Sequence, residues 1–536
     1  MTRLLLLILF FLCSCQENQV NMSNTTIIPK PVSLIITNGF FNLNEKVELL
    51  YDSIFFNEAS YIKTNFPFKY GKNKNTVHLK KNVDLAVEEY LLNISNNKII
   101  IESSCPKGQM HAIQSLRQLM PNNLKNKFTN ASIKCMEIHD YPRFKWRGLL
   151  LDCCRHFMEK DFVKRYIDLL AYHKMNILHW HITEDQGWRI AIDKYPKLTE
   201  VGAWRKDKNG KLYGGFYSKD DIREIVEYAK TRSVEIVPEI ELPGHSVAAI
   251  ASYPHLSCTG NSIEVETDWG VFKDIYCAGN DSVFSFLEDV LSEVIELFPS
   301  QYIHIGGDEA PKYRWENCNK CQKRIKTEKL KNEHELQSYF IGRIEKFLNK
   351  KGKKIIGWDE IIEGGIPNNA TVQSWRGMDG GILAAQNQHE AIMSPTSHCY
   401  FDYDLEAINL EKVYSFEPIP NELNKNEQKY IIGGECNMWS ERAPQDKIDS
   451  KIFPRILAMS EVLWSSKEKN YDEFLTRVES HYPKLEALGV EYGYEKTPIK
   501  FKPQFSQNKF DIQIEKGKSS MEILYQINEG NWIKYE

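Results

Sequence analysis

The densest group of chemically able side chains is Gly306-Gly307-Asp308-Glu309. Two adjacent carboxylic acids at the end of a strand diverge, so they can occupy different environments. One can then keep its proton as an acid while the other stays ionised. A loop on any protein surface can carry such a pair, so its meaning depends on what converges on it. Similar polar and aromatic clusters end other apolar runs: His181-Ile182-Thr183-Glu184-Asp185, Glu239-Ile240-Glu241-Leu242-Pro243-Gly244-His245, Trp358-Asp359-Glu360, Trp375-Arg376 and Met438-Trp439-Ser440-Glu441. Trp358, Trp375 and Trp439 offer the broad apolar walls that cover the C–H faces of a pyranose, or else pack as core. The Arg155 guanidinium is able to hold two vicinal hydroxyls by a forked hydrogen bond, the alternative being an ion pair with Asp152 or Glu184. His179 and His181 alternate along one strand and so face one side. With His245 and His304 they leave open a metal-dependent hydrolase, which needs further ligands at other strand ends.

The elements that must position these groups follow from the hydrophobic pattern. Strand-like runs at 148–152, 176–181, 234–239, 302–306, 354–358, 371–375, 390–394 and 430–434 alternate with amphipathic helices. One helix starts at Ser218, with Asp221 completing a capping-box pattern. Another spans Ser282 to Phe298, with Val283, Phe286, Leu287, Val290, Leu291 and Val294 on one stripe. Eight strand–helix alternations predict an α/β fold, a (β/α)8 TIM barrel over residues 141–490. A doubly wound sheet is the runner-up, but the glycine-rich phosphate turn it wants after its first strand is absent. In a barrel the chemistry gathers at the C-terminal ends of the strands, where the clusters above fall. Residues 27–140 read as a small α+β domain, with a strand at Lys98–Glu102 and a helix from Gly108 to Met120. Residues 491–536 read as a short β-like appendage, with strands at Met521–Tyr525 and Trp532–Tyr535.

Trp146-Arg147-Gly148, Asp152 with Arg155-His156-Phe157, His179-Trp180-His181, Asp185-Gln186-Gly187-Trp188-Arg189, Pro243-Gly244-His245, His304 to Glu309 and Asn437 to Glu441 together resemble the family-20 glycoside hydrolases, the exo-β-N-acetylhexosaminidases. The resemblance spans about residues 27–490 and includes the non-catalytic domain that precedes the barrel. It implies a retaining exo-glycosidase acting on terminal β-linked GlcNAc or GalNAc, with the substrate's own acetamido group as nucleophile and no cofactor or metal. By that resemblance Glu309 is the general acid and base, Asp308 accepts the acetamido N–H, and Tyr400 donates to the acetamido oxygen. Trp358, Trp375 and Trp439 enclose the sugar, Arg155 and Glu441 bind its distal hydroxyls, and Asp402 is a further polar contact. His181, Glu184, Asp185 and His245 support them, His245 standing behind the acid. Glu184 departs from members that carry Asp at that position. A sugar-binding protein without catalysis remains the alternative from another class, although both Asp308 and Glu309 are present.

The composition fits an ordinary globular protein: 42% hydrophobic, 26% charged, net charge −4, with no basic run to bind nucleic acid. Arg3 followed by the apolar run Leu4–Leu12 reads as a secretory leader. Leu12-Cys13-Ser14-Cys15 resembles a bacterial lipobox, with Cys15 as the lipidated residue; residues 1–15 are then the signal and 16–26 a polar tether. The expected location is exported and membrane-anchored, periplasmic or cell-surface. Cys258 and Cys277 flank one loop and are candidates to pair. Cys318 and Cys321 form a lone CxxC, which reads as structural rather than as a redox pair or half of a zinc site. Nothing in the sequence sets the oligomeric state.

Overall fold

The computed structural model describes residues 26–535, apart from 44, 122–131, 208, 466–467, 494–498, 507–508 and 517–521. Cys15 and the leader lie outside the described residues. No helix among the described residues is long and apolar enough to cross a membrane.

The first unit is a seven-stranded sheet carrying two helices. Its strands are β1 (Ser33–Asn42), β2 (Lys46–Tyr51), β3 (Lys69–Tyr70), β4 (Thr76–Lys81), β5 (Tyr90–Ile94), β6 (Lys98–Ser103) and β7 (Ser132–Asp140), in the order β1-β7-β5-β6-β4-β2-β3. Alternation along β6 buries Ile99 and Ile101 against α1 (Phe56–Asn65) and α2 (Pro106–Leu119). Helix α2 turns Met110, Ile113 and Leu116 into that core, and Trp464 from the far end of the chain completes it. The seam is polar but satisfied. Lys174 and Asp140, both fully buried, meet at 2.7 Å, and Asp140 also accepts from the Trp464 indole at 2.9 Å.

The second unit is a closed parallel barrel of eight strands: β8 (Trp146–Asp152), β9 (Ile177–His181), β10 (Glu235–Leu242), β11 (Tyr302–Gly306), β12 (Lys354–Trp358), β13 (Thr371–Ser374), β14 (Ala391–Met393) and β15 (Ile431–Met438). Each of the eight expected runs forms one strand. The outer helices include α3 (Lys160–Tyr172), α4 (Lys219–Lys230), α5 (Asp281–Leu297), α6 (Asn319–Glu328), α7 (Glu333–Lys350), α8 (Asp379–Gln386), α9 (Arg455–Trp464) and α10 (Tyr471–Ala487). The box that starts α4 is formed in both directions, the Ser218 hydroxyl accepting from the Asp221 N–H and the Asp221 carboxylate from the Ser218 N–H. Inside the barrel, Trp146, Ile177, Val237, Ile356, Ile392 and Ile432 make an apolar plug. Beyond it lies a polar layer. His179 Nδ1 stands 2.7 Å from Glu435, and His304 Nδ1 stands 2.7 Å from Glu239. Such charge in a barrel core requires paired partners, and this layer forms the floor of the site above.

One expectation is corrected. Cys258 and Cys277 are not bonded to each other. The Ser257–Tyr276 bridge sets them side by side, and both face the Cys318–Cys321 end of α6, with Cys258 Sγ 3.7 Å from Cys321 Sγ. In the C-terminal stretch, Leu524–Tyr525 and Ile533–Lys534 do pair, but the longer ribbon is Ile499–Ser506 with Lys509–Lys516. Its Phe501, Phe505 and Phe510 remain exposed, so no buried face announces these strands in the sequence.

Candidate active site

Strand β11 ends at Gly306, φ +63°, Gly307 follows at φ +93°, and the chain is left-handed again at Glu309, φ +42°. A side chain on Gly306 would collide with the Glu241 carboxylate, at 1.7 Å from its ideal Cβ. The glycines thus let the backbone turn sharply over Glu241 and present two acids in succession. The side chain of Asp308 is 12% exposed and that of Glu309 39%. His245, also left-handed at φ +46°, sends Nε2 to within 3.5 Å of Asp308 and 3.6 Å of Glu309. A non-glycine residue in this region stores strain, and here two such residues face each other at the reacting edge.

His245 is held from behind. Its Nδ1 meets Glu184 at 2.7 Å and Asp185 at 3.3 Å. Burial alone would depress the imidazole, but Glu184 and Asp308 raise it well above its ordinary value, so it is cationic at neutral pH. His245, 3.6 Å away, holds Glu309 below the usual range, against the opposite pull of burial. Glu184 is the hub: besides His245 it meets Arg155 Nη2 at 2.9 Å and His181 Nε2 at 3.1 Å. Burial would raise it, yet Arg155 and His245 keep it well below the carboxylate range. The extra methylene relative to aspartate therefore serves a three-way junction.

Arg155 answers the sequence-level alternative in both senses. It is paired with Glu184, and it lies 3.5 Å from Asp152, yet its Nε and Nη1 find no hydrogen-bond acceptor. Asp308 Oδ1 and Asp402 Oδ1 are likewise buried without a partner. Unsatisfied buried polar atoms are rare, and these all line one cavity with Glu309, Trp358, Trp375, Tyr400, Trp439 and Glu441. At about 210 Å3 the cavity is smaller than the roughly 300–1,000 Å3 of drug-sized pockets, a space for one small ring rather than a long groove. Trp375 and Tyr400 lie near parallel, with ring centres 6.2 Å apart. Trp358 and Trp439 form the adjoining wall at 5.8 Å. Indole nitrogens fix two of these walls: Trp358 donates to Glu239 and Trp375 to Glu360, each at 2.9 Å.

All the cavity residues expected from the sequence come together, and His181 and Asp185 lie one layer below. Three acids were missed as site residues. Glu241 lines the cavity; burial, then Asp308 and Glu239, push its carboxyl well above the usual range. Burial and Asp308 raise Glu360 to about 8. Glu239 joins His181, His304 and Trp358. Glu239 and Glu241 alternate along β10 and so point inward, a signal present in the sequence. Tyr403, the remaining omission, comes from a loop whose path no periodicity reveals.

Residues 144–467 match the catalytic domain of glycosyl hydrolase family 20, and residues 24–141 match domain 2 of that family. A beta-hexosaminidase of Porphyromonas gingivalis is 39% identical over 90% of this chain, which spans 66% of that protein. One from Vibrio furnissii is 33% identical, over 81% of this chain and 76% of its own length. Among solved structures, the exo-β-N-acetylglucosaminidase of Vibrio harveyi in complex with N-acetylglucosamine superposes with a TM-score of 0.80 at 30% identity, covering 88% of this chain and 78% of its own. A β-N-acetylhexosaminidase from Bacteroides fragilis does so at 0.79 and 34%, covering 87% and 96%.

Proposed function

The chain belongs to glycosyl hydrolase family 20, and on that premise we propose that it is an exo-acting, retaining β-N-acetylhexosaminidase that removes terminal GlcNAc or GalNAc by substrate-assisted catalysis. The observation that carries the reading is the set of buried, unpartnered polar atoms around one aromatic-walled cavity: Arg155 Nε and Nη1, Asp308 Oδ1 and Asp402 Oδ1. They are the complement of one hydroxylated ring with an acyl arm.

In this reading Arg155, Asp402 and Glu441 take the hydroxyls remote from the scissile bond and close the far end of the pocket, which makes the action exo. Trp358, Trp375 and Trp439 sheath the ring and the acetamido methyl. Asp308 accepts the amide N–H and Tyr400 donates to the acetamido oxygen, which directs that oxygen at the anomeric carbon. Holding the nucleophile within the substrate gives it a high effective concentration. The oxygen forms its bond to the anomeric carbon as the glycosidic C–O bond breaks, and Glu309 delivers its proton to the leaving oxygen. The positive charge of the resulting oxazolinium ion lies beside Asp308. Glu309, now ionised, takes a proton from water as that water opens the ring at the anomeric carbon. Two inversions leave the β configuration intact. In the free protein His245 holds Glu309 below the range a general acid needs; a sugar that expels water from its half-exposed carboxyl shifts it back toward the protonated form.

Turnover of nitrophenyl β-N-acetylglucosaminide and of defined natural disaccharides tests the reading, together with inhibition by a thiazoline analogue of the bicyclic intermediate. Binding without turnover would leave only a sugar-binding role. Turnover without thiazoline inhibition would remove acetamido participation. We further propose export and anchoring through Cys15, supported by Arg3, the Leu4–Leu12 run and the Cys13-Ser14-Cys15 sequence. In a diderm host, palmitate labelling should be lost in Cys15→Ser, with the protein moving to the soluble fraction.

A further inference from the structure

Away from the sugar cavity, four cysteines close on one point. Cys277 Sγ lies 3.8 Å from Cys318 Sγ and 3.7 Å from Cys321 Sγ, and Cys321 Sγ lies 3.7 Å from Cys258 Sγ. All four sulfurs fall within 4.8 Å of one another. Cys277, Cys318 and Cys321 are buried and Cys258 is partly exposed. Pairwise bonding does not generate this pattern, because Cys277 and Cys321 each stand 3.7–3.8 Å from two sulfurs. A tetrahedron does. Four thiolates at about 2.3 Å from a central zinc ion have edges of about 3.8 Å, the separation seen here.

The local backbone is shaped for such a centre. Cys318 occupies the N-cap position of α6 and Cys321 lies in its first turn, where the helix end favours thiolates. Gly279 lets the loop approach closely: a Cβ there would meet the backbone of Lys320 and Cys321 at 2.2–2.4 Å. From sequence the CxxC lacked a second half. The structure supplies it from Cys258 and Cys277, which the Ser257–Tyr276 bridge brings level.

We propose that Cys258, Cys277, Cys318 and Cys321 form a structural Zn2+ site that staples the loop after β10 to the segment after β11. The first segment carries His245 and the second Asp308 and Glu309. Between knot and site the connections are short: Tyr276 N–H donates to the Pro243 carbonyl at 3.0 Å, and the Trp315 indole donates to the Tyr276 carbonyl at 2.9 Å. With four protein ligands the ion has no open position, so its role is to hold the two loops in register rather than to activate water.

Metal analysis of the full chain, purified without chelator from both cytosolic and exported expression, should find one zinc per chain. Thiol modification by a mercurial should release that zinc, and Cys258→Ser and Cys321→Ser should each lose it. Since those variants can fail to fold, cobalt replacement of the wild-type ion gives an independent reading: tetrahedral tetrathiolate absorption is expected. Two disulfides in a non-reducing peptide map, four free thiols without metal after dialysis against zinc, or iron in place of zinc would each overturn the assignment. None of these readouts depends on glycosidase activity.

Discussion

At the residue scale, the acid pair works through neighbours that differ for its two members. Glu309→Gln removes the proton donor but leaves the cavity walls, so kcat on natural disaccharides should fall by about 10²–10⁴-fold. Aryl substrates with good leaving groups should suffer far less; an equal loss on both would show that Glu309 is not the acid. His245→Gln tests the tuning. His245 lowers Glu309, so replacing the imidazolium with a neutral amide should move the alkaline limb of kcat/KM to higher pH. An unmoved limb would assign that limb to another group. Tyr400→Phe keeps the stack on Trp375 but loses the donor, and should cost about 10²–10³-fold in kcat with weaker thiazoline inhibition. Asp308, Glu309 and the three tryptophans were legible because each ends an apolar run. Glu184 was legible as a candidate partner of Arg155 and as a supporting residue, but its role as a three-way junction was not, since that contact joins β8, β9 and the β10 loop.

At the element scale, all eight barrel strands could be located because burial on both faces makes them continuous apolar runs, although β10 and β15 run on to Leu242 and Met438, past the expected ends at 239 and 434. The helix at Ser218 was legible from its cap, and Ser218→Ala should cost about 1 kcal/mol of stability without altering kcat, a difference that thermal melts and a rate assay separate. The strand ends are less forgiving. Gly306 combines φ +63° with a Cβ path into Glu241, so Gly306→Ala incurs about 1–2 kcal/mol of left-handed strain in addition to displacing Glu241. The expected result is a large fall in kcat/KM from a misdirected acid pair, with far-UV circular dichroism unchanged. Retained activity would mean that the turn does not set the acid's position. The exposed ribbon at 499–516 and the four-cysteine knot escaped the sequence reading for a shared reason. Both depend on contacts between segments with no periodic face, the first lacking a core and the second drawing ligands from two loops.

At the scale of the whole molecule, the buried titratable groups set the pH range over which the fold is most stable. Burial and Glu441 raise Asp402 to about 7, and burial and Asp308 raise Glu360 to about 8. A folded state that binds these protons more tightly than the unfolded chain loses stability as pH climbs from about 4 through those values. Against the pull of burial, Glu435 and Glu239 raise His179 to about 9, so its contribution also disappears on the alkaline side. Acid acts through other groups. Burial lowers His173 to about 4, and burial with Lys412 and Lys469 does the same for His398. The unfolded chain takes up those protons first below about 6.5, which costs stability as pH falls. Between about pH 4.5 and 6.5 the two trends oppose each other, and above about 6.5 only the alkaline losses remain, so the thermal midpoint of the ligand-free protein should hold a plateau up to about pH 6.5 and fall above it. Glu360→Gln keeps a partner for the Trp375 indole while removing one ionising group. It should remove that group's share of the decline, which runs from about pH 4 to about 8. A midpoint that rises steadily to pH 9, or an alkaline limb indifferent to Glu360→Gln, would mean that the acids packed under the sugar cavity ionise freely, and the cavity floor would then be wet rather than sealed by the barrel.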